Sequence, residues 1–229
     1  VKIIVPLAGP DVIHPRYGVR ALYEVDGQPL LAAALESRPW MRPGEAGAED
    51  LIFVLREGEG RDALAQFIGQ RYGAARIVTL SQLTGGALYS ALAGAALAAP
   101  TQPLCIDLVD ILYRCDDWRL RAGEIALGGL VPVFESDDPS YSYLRAENGE
   151  IVEAAEKRVI SREASAGTYF FKDVGVFLRA AGHSVRNAET LAFKGALFVC
   201  PAMNGVIDEG LRVATVAVSD VRPVGKLFH

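Results

Sequence analysis

Residues 2–9, KIIVPLAG, decide how the rest of this 229-residue chain is read. Lys2 to Leu7 is an apolar, largely β-branched run that suits a buried strand. It leads straight into Ala8-Gly9, where a parallel α/β fold places a loop able to cradle phosphate. The continuation PDVIHPRYGVR (10–20) has no second glycine until Gly18. From local sequence alone, Gly9 reads equally well as part of a ligand loop or as an ordinary turn glycine.

Working outward, Ala21 to Val25 is expected to be short and extended, and Asp26-Gly27 to turn the chain. Pro29 suits the first turn of a helix through Leu30, Leu31, Ala34 and Leu35. A loop rich in Pro, Gly and Glu (39–50) precedes a second buried strand, Leu51 to Leu55. RDALAQFIGQRYG (61–73) sets Leu64, Phe67, Ile68 and Tyr72 on one helical face, with Gly73 as the stop. Ala75 to Leu80 reads as a third strand, Gly86 to Ala98 as an Ala-rich helix ended by Pro100, and Pro103 to Val109 as a fourth strand. Strands and helices alternating at this spacing imply parallel pairing with helices on both faces, hence an open, doubly wound sheet.

The second half changes character. Ile125 to Phe134 is expected to be a central strand. Ser142 to Arg145 and Glu150 to Ala154 flank Glu147-Asn148-Gly149, a strong hairpin signal. Gly167 to Phe171 reads as a strand, Val174 to Ala181 as a short helix and Leu211 to Val218 as a last strand. With no linker, repeat or low-complexity tract, residues 1–229 read as one domain in two lobes, about 1–115 and 116–229.

A hydrophobic content of 51% supports a substantial core, and a net charge of −5 argues against a nucleic-acid surface. Arg114, Arg119 and Arg121 cluster, but Asp116, Asp117 and Glu124 are interleaved with them. Cys105, Cys115 and Cys200 form no CxxC pair, which fits reduced thiols in the cytoplasm better than a disulfide framework or zinc site. No run is long and apolar enough for a membrane span, and VKIIVPLAG is interrupted too early for a signal peptide. A homo-oligomer is compatible with the sequence, which does not fix the assembly.

Ligands of open parallel sheets bind beyond the carboxyl ends of the strands. Three such ends carry suggestive residues: Ala8-Gly9 with the loop to Arg20, SQLTGG (81–86) opening into a helix, and CIDLVD (105–110) with Asp107 and Asp110. Together they offer amide donors, a helix N-terminus for anions and a carboxylate for a divalent cation. Each also has a plainer reading, as turn, helix start or cap.

Taken in order, these segments resemble the sugar-phosphate nucleotidyltransferases, and the resemblance covers nearly the whole chain. KIIVPLAG resembles that family's opening strand and loop, and ALYEVDGQPLL its next segment. LTGGALYSAL resembles the loop and helix under the base, and CIDLVDILY the strand ending in a metal-binding aspartate. SYLRAENGEIVEAAEK followed by AGTYFF resembles the acceptor motifs. LFVCPAMNGVIDEG resembles the distal motif of a subgroup associated with capsular and surface polysaccharides.

The resemblance implies a Rossmann-like, glycosyltransferase-A-type three-layer sandwich with a mostly parallel central sheet. It implies transfer of a nucleotidyl group from an NTP to a phosphorylated small molecule, a sugar 1-phosphate above all, with release of pyrophosphate and with Mg2+ as cofactor. Asp110 then holds the metal, and Arg20 stands where the family has a phosphate-contacting lysine. Ala8, Gly9, Thr84, Gly85 and Gly86 face the nucleotide, with the two glycines letting backbone approach the base. Glu156, Lys157, Gly167 and Asn204 contact the acceptor; Tyr141 and Tyr143 offer faces for stacking on it, though alternating aromatics in a strand are more often packing.

The loop departs from the family's Gly-x-Gly-(Ser/Thr)-Arg: Pro10 removes an amide donor, and Asp11 brings negative charge to the triphosphate position. His14 reads as a solvated loop residue sooner than as a phosphate contact. A catalytically impaired relative that binds nucleotide or sugar phosphate therefore stays open, as does a nucleotide-sugar-dependent glycosyltransferase, for which Asp107 and Asp110 have the wrong spacing.

Overall fold

The computed structural model describes residues 1–116 and 127–228. Asp117, Arg119, Arg121, Glu124 and the start of the 125–134 run lie outside the described residues.

Strand β1 (Lys2–Pro6) is followed by two small hairpins, β2 (Ile13–His14) with β3 (Gly18–Val19) and β4 (Glu24–Val25) with β5 (Gln28–Pro29). Next come α1 (Leu30–Ser37), β6 (Leu51–Arg56), α2 (Arg61–Arg71), β7 (Arg76–Leu80), α3 (Ala87–Ala95) and β8 (Leu104–Asp107). These four long strands pair in parallel in the order β8-β1-β6-β7. Alternation along them sends side chains to opposite faces. Ile3, Val5, Phe53 and Leu55 pack with α1 and α2, whereas Ile4, Ile52, Val54 and Ile106 pack with Leu88 and Ala91 of α3. Both faces are covered, so the strands read as continuous apolar runs and the layers number three. Each fully buried side chain of this set contributes roughly 1.5–3 kcal/mol.

The chain leaves β1 toward β6 on one face and reaches β8 through α3 on the other. The sheet order therefore reverses between β1 and β8, and the loops after these two strands diverge to leave a crevice.

After β9 (Leu112–Arg114) the described chain resumes with β10 (Leu127–Glu135), the hairpin β11 (Ser142–Glu147) and β12 (Glu150–Glu156), then β13 (Glu163–Ser165) and β14 (Thr168–Phe171). Asn148 (φ 51°) and Gly149 (φ 84°) form the left-handed pair the tight hairpin turn requires. Helices α4 (Val174–Arg186), α5 (Ala188–Leu191) and α6 (Met203–Asp208) precede β15 (Arg212–Ala217) and β16 (Ser219–Arg222). β13 and β14 both run antiparallel to β10 along one edge, and β15 runs parallel along the other. Beyond that shared edge, β14 pairs with β8 and β13 with β11. The two-residue break, Ala166-Gly167, is where one extended stretch changes neighbours and opens the sheet. β16 pairs with β9 outside the main sheet.

The mostly parallel, three-layer architecture agrees with the sequence expectation, and the local differences have clear causes. Ala21 lies in a 3₁₀ turn, Arg20–Leu22, closed by Tyr23 N–H donating to Arg20 O at 3.1 Å, and only Glu24–Val25 is extended. Pro29 ends β5 and caps α1 instead of entering its first turn. The helix expected over 174–181 runs to Arg186, its start capped by the Asp173 carboxylate, which accepts from Val176 N–H at 2.8 Å. β13 and α6 carry no strong local signal. No helix among the described residues is long and apolar enough to cross a membrane.

Candidate active site

The crevice holds a cavity of about 450 Å³. The loop after β1 forms one wall with Ala8, Gly9, Asp11 and Arg20, and the segment before α3 adds Leu83, Thr84 and Gly86. Asp110 stands at the centre, after β8. The opposite wall brings Tyr141, Ser142, Glu156, Lys157, Ser165, Gly167 and Tyr169. Gly85 and Asn204 are outside this lining.

The two aspartates of CIDLVD do different things. Asp107 is fully buried in an ion pair with Arg38, whose Nε donates to Oδ2 at 2.8 Å and Nη2 to Oδ1 at 3.1 Å. Arg38 also donates to Ile111 O at 3.0 Å and stacks 3.9 Å from the Tyr113 ring centroid. Asp107 Oδ1 accepts from Val109 N–H at 3.0 Å, holding a β-branched residue at φ 53°. That backbone conformation costs of order 1–3 kcal/mol, so the surrounding pair must enforce it. The result is a loop that turns Asp110 into the cavity. Asp110 Oδ1 is sealed from solvent without a hydrogen-bond partner. Burial raises the carboxyl pKa, and Arg20 nearby opposes that rise.

Asp11 and Arg20 form an ion pair at the cavity edge, both side chains largely shielded. The negative charge that looked misplaced in the sequence is thus matched, and Arg20 is already engaged. Arg56, at the end of β6, reaches the same loop, with Nη2 3.5 Å from Gly9 O. Sequence reading passed over it because its distance from Gly9 along the chain hides their contact. His14 is half-buried at the end of β2, where its ring stacks on Tyr17 at 4.8 Å and meets Phe228 edge-on at 5.9 Å.

The glycines before α3 make a contact within the protein that the sequence did not suggest. Gly86 has φ 124°, and a Cβ there would run into the backbone of Leu197. Leu197 N–H donates to Gly85 O at 2.7 Å, and Leu88 N–H donates to Leu197 O at 3.1 Å. The close approach is therefore protein on protein. Thr84 Oγ1 lies 3.2 Å from Gly86 O, to which it donates, and 3.3 Å from Ser90 Oγ.

On the far wall, Ser142 donates to Glu156 across the β11–β12 ladder. Burial pushes the Glu156 carboxyl up to about 7, against the pull of the Ser142 hydroxyl and the Lys157 charge. Lys157 sits at φ 49°, its Nζ 5.3 Å from the Phe193 ring centroid and 5.6 Å from that of Phe198. Gly167 (φ 79°) faces Asp110 so closely that a Cβ would stand 3.1 Å from Oδ1. Ser165 donates to Tyr169 Oη at 2.9 Å and accepts from Gly167 N–H at 3.1 Å, a buried polar pair that only the strand break reveals. Tyr141 lines the cavity, whereas Tyr143 is fully buried and donates to Asp138 O at 2.7 Å. Asn204 is committed elsewhere: its carboxamide accepts from Ala154 N–H at 2.9 Å and donates to Ala154 O at 2.7 Å and Pro201 O at 3.0 Å. It ties α6 to β12.

The cavity therefore gathers the Ala8-Gly9 loop, Arg20, Asp110, Glu156 and Lys157 around one crevice. Asp110 fits a divalent cation that takes its remaining ligands from phosphate and water, the usual habit of Mg2+. No cluster of three or more His, Cys, Asp or Glu that could hold a metal by itself occurs among the described residues.

No family model and no curated protein matches the chain. Solved structures do. A nucleoside-diphosphate-sugar pyrophosphorylase from Vibrio cholerae RC9 superposes with a TM-score of 0.79 at 18% identity, covering 98% of this chain and 96% of the other. The inositol-1-phosphate CTP transferase from T. maritima gives 0.71 at 15% identity, over 96% and 86%. A UDP-glucose pyrophosphorylase complexed with UDP-glucose gives 0.71 at 16% identity, over 98% and 93%. At these identities the likeness establishes architecture: this chain has the Rossmann-like α/β fold found in nucleotidyltransferases of sugar phosphates.

Proposed function

We propose that this chain is a nucleotidyltransferase that joins an NTP to a phosphorylated small molecule, a sugar 1-phosphate in the first instance, and releases pyrophosphate. One observation carries the reading. Asp110 presents a carboxylate with an unpartnered buried oxygen at the meeting point of an amide-bearing loop and a wall holding Glu156 and Lys157.

An acceptor phosphate oxygen attacks the α-phosphorus of the NTP, and the bond to the β-phosphate oxygen breaks as pyrophosphate leaves. Two polyanions must meet in line, so the work is positioning and charge neutralisation. Ala8 and Gly9 amides face the triphosphate, with Arg20 and Arg56 as the cations within reach. Lys157 meets the acceptor phosphate and Glu156 its hydroxyls, while Leu83, Thr84 and Ser90 border the base. Asp110 would hold the Mg2+, which when bound neutralises phosphate charge. Such substrates and the ion place the enzyme in the cytoplasm. The likeness of LFVCPAMNGVIDEG to the surface-polysaccharide subgroup supports a use of its product there.

A second reading, binding without turnover, is favoured by the Asp11–Arg20 pair, since an engaged Arg20 is a weaker phosphate clamp. Incubation with each NTP, Mg2+ and candidate sugar 1-phosphates, with pyrophosphate as the readout, separates the two. Release that needs both substrates is the expected result. If no pair yields pyrophosphate while an NTP raises Tm, the binding reading replaces it. If no NTP moves Tm either, both are wrong.

A further inference from the structure

Residues 222–228 touch three of the loops that form the cavity, and only one feature of this segment faces Asp110 directly. Arg222 pairs with Asp26 at 2.6 Å, on the turn between β4 and β5. Gly225 N–H donates to Asp110 O at 2.7 Å, and a Cβ on Gly225 would lie 2.8 Å from Asp110 Cβ and 3.2 Å from Oδ2. Lys226 pairs with Asp138 and lies 4.2 Å from the Tyr141 ring centroid, on the acceptor side. Phe228, buried at 6% exposure, meets Tyr17 at 5.8 Å and Tyr23 at 5.4 Å, on the loop after β1. Upstream, β16 pairs with β9, fixing the strand that starts two residues after Asp110.

We infer that residues 222–228 are a positioning clasp that sets Asp110 against both substrates and couples the loop after β1 to the acceptor-side loop at 138–141. The inference rests on the proposed nucleotidyl transfer for its kinetic consequence, but its mechanical part stands alone. One short segment contributes a different contact to each loop: an amide and a bare Cα to Asp110, an aromatic ring to the first loop, an ammonium to the acceptor loop. A small displacement of a metal-bearing carboxylate relative to an in-line reaction costs about 100-fold in rate. Gly225 therefore leaves room for the carboxylate and bonds its backbone at once. These are positioning residues: none lines the cavity.

The test uses the full chain with Gly225→Ala, Lys226→Met and Phe228→Ala, followed by pyrophosphate kinetics and hydrogen exchange. Gly225→Ala should lower kcat about 100-fold with NTP KM changed less than about threefold. Lys226→Met, on a partly exposed residue that threatens no core, should raise acceptor KM about fivefold and leave NTP KM unchanged. Phe228→Ala should speed amide exchange in both 10–20 and 138–142, leaving α2 and β7 as in the parent. Exchange that quickens only within 224–228, or kinetic constants within about twofold of the parent for a folded Gly225→Ala and for Lys226→Met, would overturn the clasp. If Gly225→Ala does not fold, Lys226→Met decides the kinetic arm. If the parent releases no pyrophosphate, the function proposed above fails, and the exchange arm still decides the clasp.

Discussion

The wall after β1 and the wall beyond Asp110 treat charge in opposite ways. The first wall and its support keep charges in pairs, Asp11 with Arg20 and, beneath the floor, Arg38 with Asp107. Across the cavity, Asp110 has a buried oxygen with no partner, Glu156 has a single hydroxyl, and Lys157 rests over aromatic rings. Paired charges hold loops in shape. Charges left without matched partners in a cavity are held there at a cost in stability, and a ligand relieves that cost.

The largest break in this contrast should come from Asp110→Asn. Pyrophosphate release is expected to fall about 10⁴-fold, with Tm unchanged or higher, because the substitution removes a buried unpartnered charge. Near-parental turnover would remove Asp110 from the centre of the reaction. Arg38→Met strikes the paired side and should show the reverse pattern, a loss of about 3–5 kcal/mol in denaturant unfolding from the uncompensated Asp107. A loss below about 1 kcal/mol would mean that the pair does not hold the loop.

Glu156 offers a finer test. In the folded protein it keeps its proton up to about pH 7, against an ordinary value of 4.5 in the unfolded chain. Between these values the folded state carries the additional proton, so this group's stabilising contribution is full below pH 4.5 and is lost as pH rises through 7. Glu156→Gln should therefore flatten the decline of Tm between pH 5 and pH 8. For catalysis, acceptor kcat/KM should rise about tenfold through pH 7 in the parent and stay level in the variant. A parental profile without a midpoint near 7 would contradict the placement of Glu156 against the acceptor. The smallest effect is expected at the cavity edge, where Asp11→Asn frees Arg20 and should lower NTP KM by about threefold. A higher KM would mean that Asp11 aids binding by orienting Arg20.

Much of the fold was readable because the parallel strands are buried on both faces and bounded by Gly, Pro and polar turns. The Asn148-Gly149 hairpin was readable for the same local reason. The site was readable only in outline. Asp107 and Asp110 look alike in CIDLVD, and only Arg38, 69 residues away, separates their roles. Gly86 looked shaped for a ligand, but the atom it must avoid belongs to Leu197, brought near by the fold. Asn204 sat in a suggestive motif, yet α6 turns its carboxamide onto the Ala154 backbone. Arg56 and the Ser165–Tyr169 pair gave no local signal, since each depends on contacts made across strands. In each case the deciding neighbour is distant in sequence.

The bond between Gly85-Gly86 and Leu197 has a practical consequence for redesign. The cavity border at 85–88 and the 193–197 turn form one mechanical piece, stitched by two backbone hydrogen bonds and by the absence of a Cβ. Grafting residues 81–87 from another chain of this fold would import a loop without its anvil. A working exchange has to carry both segments together, so this wall of the cavity is inherited as a pair of distant cassettes.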